Sequence, residues 1–169
     1  LIQKALEEEN SGRYEKAIET RLDTIKLSKR ELGLKHPTHV IALYELAFLY
    51  ESRGLYKKAI PLGESILNIV EQVLGANHLD TAYALNTLGL FYSKAGLYSK
   101  AETLFRRTLD IYEEAYGNDH PDIALALHNL GSIYEDLLVY DKAESYYKRA
   151  LEIIDKALGT DNISYALTL

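Results

Sequence analysis

The sequence predicts an all-α solenoid of stacked helix-turn-helix pairs, and three observations predict it. Residue types return at an interval of 42: His36, His78 and His120; Leu46, Leu88 and Leu130; Tyr50, Tyr92 and Tyr134; Tyr14, Tyr56, Tyr98 and Tyr140; Ala17, Ala59, Ala101 and Ala143. A fixed period of this size marks a repeat architecture, because one copy is too small to bury its apolar face and must lean on the next. Within a copy the apolar residues stand three and four apart, the spacing of a helix face, and never alternate over the length of a strand. Leu127, Leu130, Gly131 and Tyr134 share one such face, and Tyr140, Ala143, Tyr147, Ala150, Leu151 and Ile154 share another. Glycine and proline punctuate the copies where one helix must stop and the next begin.

Taken in order, residues 1–10 read as the shorter helix of a leading copy, although Lys4 and Glu8 stand where other copies carry Leu and Tyr and leave its packing in question. A helix over 14–32 follows, stopped by Gly33. Pro37 suits the first turn of a helix over 38–53, because its missing N–H costs nothing there and its φ is already helical. Ser52, Arg53 and Gly54 turn the chain into a helix over 56–74, which Pro61 should bend or leave short of one backbone bond. In the next copy Leu79 replaces the proline, Asp80 and Thr81 are expected to cap a helix over 80–95, and Lys94, Ala95 and Gly96 lead into a helix over 98–116. Pro121 opens a helix over 122–137, the turn Asp136-Leu137-Leu138 lacks its glycine, and a helix over 140–158 completes the copy. The expected organisation is one array across 1–169: a partial leading repeat over 1–33, full repeats over 36–75, 78–117 and 120–159, and a truncated repeat over 162–169. The chain reads as a piece of a longer array.

Composition narrows the function. A formal charge of -6 and a pI near 5.4, with no basic run, disfavour nucleic acid and anionic membrane surfaces as partners, since both are held through clustered Lys and Arg. The absence of Cys removes disulfides, thiolate nucleophiles and Cys-ligated zinc together, and fits a reducing, cytoplasmic setting. No stretch approaches the roughly 18 uninterrupted apolar residues of a membrane span.

The run Leu85, Leu88, Gly89, Tyr92, Gly96, Tyr98, Ala101 and Phe105 resembles the tetratricopeptide repeat (TPR) motif of paired helices. The usual unit of that family is about 34 residues. The 42-residue copies here, with a longer second helix and the joint Leu32, Gly33, His36 and Pro37, resemble the subfamily typified by kinesin light chain and by bacterial arrays of the same period. The resemblance covers residues from about 12 to 169. It implies a right-handed superhelix of antiparallel pairs whose shorter helices line a concave groove.

The groove columns that the resemblance implies are Ile41, Tyr44, Glu45, Phe48, Glu51 and Ser52 in the first full copy. They continue as Tyr83, Asn86, Thr87, Leu90, Ser93 and Lys94, then as Leu125, His128, Asn129, Ser132, Glu135 and Asp136. Asn86 and Asn129 match the two asparagines that contact a peptide backbone in kinesin light chain-like arrays, and each copy holds part of that pattern. An asparagine both donates and accepts, so it pairs with main chain whatever the sequence. The carboxylate clamp for an acidic tail is poorly matched: Glu45, Glu51, Glu135 and Asp136 face one base, Lys94. The expected partner is therefore a protein or peptide segment, neutral to basic, with apolar anchors.

Other columns invite chemistry and are better read as structure. His36, His78 and His120 lie one repeat apart, about 10 Å or more, whereas zinc ligands converge within about 2 Å of one ion, so capping is expected and metal binding is not. The tyrosine columns read as core and Lys16, Lys58, Lys100 and Lys142 as a solvated ridge. No phosphate loop, nucleophile elbow or paired-histidine motif occurs, so neither catalysis nor a cofactor is expected. The function that follows is a non-catalytic protein-protein interaction module within a larger protein. The competing reading is a structural scaffold that positions an attached effector domain through end-to-end self-association.

Overall fold

The computed structural model describes residues 1–158, which form eight helices. They are α1 (Ile2–Asn10), α2 (Tyr14–Leu32), α3 (Pro37–Ser52), α4 (Tyr56–Leu74), α5 (Leu79–Lys94), α6 (Tyr98–Tyr116), α7 (Pro121–Asp136) and α8 (Tyr140–Leu158). No strand occurs among the described residues. The truncated repeat expected over 162–169, and Gly159, lie outside them. Two compact units divide the chain, the first spanning Leu1–Ala76 and the second starting at Asn77. In the first, α1 pairs with α2 and α3 with α4, and α3 packs on α2. In the second, α5 pairs with α6 and α7 with α8, while α7 packs on α6 and touches α5. Turns this short make the helices of each pair antiparallel.

The three histidines of the repeat open α3, α5 and α7. Each has extended backbone, and its Nδ1 accepts the backbone N–H two residues on: Thr38 at 3.2 Å, Asp80 at 3.1 Å and Asp122 at 3.3 Å. An imidazole nitrogen thus takes the place usually filled by a Ser or Asp oxygen. In α5 the cap is His78, not Asp80 or Thr81 as the sequence suggested. Each of these helices starts one residue earlier than expected, because the cap stands directly before it.

The turns inside the pairs share one closure. The residue after the cap donates to the carbonyl three back, and the next residue to the carbonyl five back, as in Gly96 to Ser93 and Leu97 to Tyr92, both 2.8 Å. Such a closure needs a left-handed residue. Gly12, Gly54 and Gly96 supply it with φ of 73°, 69° and 74°. In the last pair Leu138 is forced into the same region at φ 59°, with bonds to Glu135 and Tyr134 of 2.9 and 2.8 Å for Leu138 and Val139. A side chain costs about 1–2 kcal/mol in this conformation, and Leu138 is exposed and recovers little by packing. Leu138→Gly is therefore expected to stabilise the second unit by about 1 kcal/mol, read as a higher urea midpoint at unchanged slope.

Packing inside the second unit depends on two glycines. A methyl group built on Gly89 of α5 would lie 2.6 Å from the Phe105 ring of α6, and one on Gly131 of α7 would lie 2.5 Å from the Tyr147 ring of α8. By register the first unit carries Ala47 and Gly63 at these places, both buried, so the small residue changes helix. Pro61 lies on the exposed side of α4, and the helix runs through it from Tyr56 to Leu74.

The leading pair solves its packing with polar groups. Glu8, in the tyrosine column, is buried and accepts from the Thr20 hydroxyl at 2.7 Å. Arg21 of α2 is only 4% exposed and donates to Glu9 of α1 and to Glu45 of α3, the latter at 2.7 Å.

Two columns differ from their expected roles. Tyr50, Tyr92 and Tyr134 are core, but Tyr56 and Tyr98 are half-buried and Tyr140 is 63% exposed. Lys58, Lys100 and Lys142 cover the rings of Tyr50, Tyr92 and Tyr134 at 5.5, 5.0 and 4.9 Å, so the lysine ridge shields tyrosine faces through cation-π contact.

Tyr134 also donates through its hydroxyl to Glu102 at 2.6 Å, and Arg106 Nε donates to the same carboxylate at 2.8 Å. The Tyr134 bond holds the Glu102 carboxyl below the usual carboxylate range against the opposing effect of burial, with the Arg106 guanidinium adding to it. A depressed carboxylate contributes its stability above the unfolded value, about pH 4.3, and loses it as pH falls through the folded value. Glu102→Gln should therefore flatten the loss of stability between about pH 5 and 3 by up to ~1 kcal/mol, the site being partly solvated. Chemical denaturation at both pH values checks it.

Candidate partner-binding face

The face expected to meet a partner is carried by α3 in the first unit and by α5 and α7 in the second. Ile41, Tyr83 and Leu125 occupy one register position, and each is 52% exposed. Their flanking residues are not: Ala42, Ala82 and Ala126, together with Leu43, Leu85 and Leu127, are buried. A large apolar side chain thus stands in solvent at the same place in every described full repeat.

In the first unit, Tyr44 is half-buried and stacks on the exposed Phe48 with ring centroids 5.9 Å apart. Glu45, half-buried, is held by Arg21. Its charge is shared with a guanidinium that also serves Glu9, and so is offset within the chain.

In the second unit, Asn86 and Asn129 are buried and brought together: Asn129 Nδ2 donates to Asn86 Oδ1 at 2.8 Å, tying α7 to α5. That bond leaves one amide N–H2 on Asn86 and one carbonyl on Asn129, a donor beside an acceptor. Thr87 is buried and donates its hydroxyl to the Tyr83 carbonyl at 2.9 Å. Leu90, His128, Ser132 and Ser93 are half-buried and Lys94, Glu135 and Asp136 exposed, so with Tyr83 and Leu125 they make up the accessible part of this face.

Between α7 and α8 lies a cavity of about 370 Å³ lined by His128, Ser132, Glu135, Tyr147, Ala150 and Leu151. The His128 and Tyr147 rings are 5.3 Å apart and tilted by 41°, and the Tyr147 hydroxyl donates to Glu135 Oε2 at 2.8 Å. Burial, and then the adjacent Glu135 carboxylate, push the Tyr147 phenol up to about 12, so it stays a neutral donor near neutral pH. Sequence reasoning drew the face from the shorter helices alone and left Tyr147 out. Its signal was the column Gly63, Phe105 and Tyr147, whose last member alone has a hydroxyl to aim.

Among the described residues no three His, Asp or Glu side chains cluster closely enough to hold a metal ion, and the three cap histidines each sit at their own helix start. No described helix is long and apolar enough to cross a membrane.

Comparison with known proteins places this architecture. The chain resembles the crystal structure of BtubC (BKLC) from P. vanneervenii with a TM-score of 0.79 at 23% identity, over 92% of this chain and 62% of that one. The putative kinesin light chain of Podosopora anserina with nearly identical TPR-like repeats gives 0.81 at 20% identity, over 92% of this chain and 74% of that one. MamA residues 41 to the end, from Desulfovibrio magneticus RS-1, give 0.67 at 18% identity, over 94% and 75%. These likenesses concern the fold, and the chain spans less than two thirds of BtubC. No curated sequence matches the chain significantly. The tetratricopeptide repeat model, by contrast, matches over residues 4–72, 38–114, 80–156 and 122–169, four overlapping stretches that run almost from end to end. With a 42-residue period, paired helices and no strand among the described residues, the chain belongs to the tetratricopeptide repeat family.

Proposed function

We propose that this chain is a non-catalytic docking module, which holds an extended segment of a partner protein against the exposed side chains of its shorter helices. Repeats of this family generally serve as protein-protein interaction modules. The observation that carries the reading is the large side chain at one register position, Ile41, Tyr83 and Leu125, 52% exposed in each described full repeat while Ala42, Ala82 and Ala126 beside it are buried. Apolar anchors of this kind, ringed by polar groups, are what a partner's hot-spot residues fill. In the second unit Asn86 and Asn129, each 8% exposed, keep one donor and one acceptor beyond their mutual bond, the two groups that one peptide unit of a main chain would take.

The charge on the face favours a neutral to basic segment. Glu135 and Asp136 are exposed in the second unit against one exposed base, Lys94, while Glu45 of the first unit is offset by Arg21. An array of immobilised twelve-residue peptides in neutral, basic and acidic sets tests the reading. Binders should come from the neutral and basic sets, and Tyr83→Ala with Leu125→Ala should weaken them by at least about tenfold without lowering the thermal midpoint. Binding confined to acidic peptides, or indifferent to the double substitution, rejects it.

A further inference from the structure

We infer that the segment held by the second unit is a polyproline-II helix with an apolar residue at every third position, successive ones seated on Tyr83 of α5 and Leu125 of α7. This rests on the docking reading above and specifies the conformation and spacing of the segment.

The first support is spacing. Tyr83 and Leu125 hold the same register position on two helices in direct contact, and the Asn129 to Asn86 bond of 2.8 Å ties those helices together. Touching helices lie about 8–10 Å apart, so the two seats are separated by roughly that distance. Tyr83 is as exposed as Leu125 although the next pair, α7 and α8, follows it in the same unit, so the seat persists inside a complete stack. A polyproline-II chain rises about 3.1 Å per residue with three residues per turn, and returns a side chain to the same side about every 9 Å. A β-strand returns one at about 6.7 Å and next at about 13 Å, and misses the second seat both times.

The second support is hydrogen bonding. An α-helical segment would reach both seats with residues seven apart, about 10.5 Å, but its backbone groups are already paired within the helix. Asn86 and Asn129 stand one helical turn along from Tyr83 and Leu125 and keep one donor and one acceptor beyond their mutual bond. A polyproline-II backbone makes no internal hydrogen bonds, so its carbonyls and N–H groups are available to them.

The third support is charge. The far end of the same face carries the exposed Glu135 and Asp136 against one exposed base, Lys94. A three-residue repeat leaves two positions between anchors. A basic residue at one of them leans its long side chain toward Asp136 while the other faces solvent.

The test is fluorescence anisotropy of the full chain with a labelled peptide of Leu-Pro-Arg repeated four times. Three controls accompany it: the same composition with leucine at every second residue, Leu-Gly-Arg repeated four times, and an alanine-based helical peptide with leucines seven apart. The Leu-Pro-Arg repeat should bind at least about tenfold tighter than each control, because proline fixes the bound conformation in advance. Tyr83→Ala and Leu125→Ala, both at exposed positions, should each weaken it, and NMR cross-peaks should place leucines three residues apart on Tyr83 and Leu125. Equal or tighter binding by any control, or cross-peaks from leucines at another interval, would overturn the inference. The two readings fail separately: array peptides that need Tyr83 and Leu125 but carry their apolar residues at other intervals remove the polyproline-II segment and leave the docking face. A Leu-Pro-Arg repeat indifferent to both substitutions, or no binding by any peptide, removes the face and the segment with it.

Discussion

Gly89→Ala, the addition of a single methyl group, should destabilise the second unit by about 1–3 kcal/mol, and in a Phe105→Ala background the same change should stabilise it. The sign reverses because two effects compete. Alanine is the better helix former by about 1 kcal/mol, so an unconstrained helix gains from the substitution. Here the new Cβ would stand 2.6 Å from the Phe105 ring, which is 1% exposed and enclosed on all sides, so the overlap cannot be relieved by a rotation into solvent. Overpacking of that kind costs about 1–3 kcal/mol and outweighs the propensity gain. With Phe105 cut to alanine the obstruction is gone, at a separate cost of about 3–5 kcal/mol for the lost ring, and only the propensity remains. Urea unfolding of the four proteins in the cycle reads the coupling directly. Equal effects of Gly89→Ala in both backgrounds would mean that α5 and α6 do not meet at this pair. Gly131 offers an internal comparison: its neighbour Tyr147 is half-buried and borders a cavity, so that ring can yield and Gly131→Ala should cost less.

The same pair shows what was legible in the sequence. Residues that act down a column are readable, because each copy repeats the constraint: the buried Leu46, Leu88 and Leu130, the left-handed glycines, and the histidine that stands before each shorter helix. Contacts that cross columns are not. Asn86 lies in the column of Tyr44 and His128, and Asn129 in that of Glu45 and Thr87, yet the two meet because adjacent helices touch on a diagonal. Reading each column by itself made both asparagines ligands for a partner and gave no sign that half of their capacity is spent on one another. Tyr140 fails for a related reason. In the same column Tyr14 is covered by Arg53 from the turn of the following pair, and no described pair follows α8. Glu8 and Lys4 broke the apolar pattern of the leading helix, but α1 still packs, because the neighbouring helix supplies Thr20 and Arg21 as polar counterparts.

Arg21→Met should cost the first unit about 2–4 kcal/mol, the largest single effect expected there. The guanidinium is almost wholly enclosed, with a side chain 5% exposed, and it joins three helices: α2 through its own backbone, α1 through Glu9 and α3 through Glu45. Its removal leaves two carboxylates facing each other's field without a counter-charge, and breaking a buried pair typically costs about 3–5 kcal/mol. Glu9 and Glu45 retain 23% and 24% of their side-chain exposure, so part of their charge can rehydrate, which sets the expected loss somewhat lower. The second unit shows how the site would be built without charge, since by register it carries Ser93, Phe105 and Asn129 where the first carries Glu9, Arg21 and Glu45. Arg21→Met combined with Glu9→Ser and Glu45→Asn should therefore recover the loss to within about 1 kcal/mol, because uncharged replacement of a whole buried ion network is often neutral or better. Phenylalanine would not serve at position 21, because the opposing residue is Ala5, fully buried, where the second unit has Gly89 to admit the ring. Denaturant unfolding of the single and triple variants measures both steps. If Arg21→Met alone were as stable as the parent, the polar junction between α1, α2 and α3 would have no part in holding the first unit together. The packing of α3 on α2 would then have to rest on other contacts, the buried Ser28–His39 hydrogen bond of 2.9 Å among them.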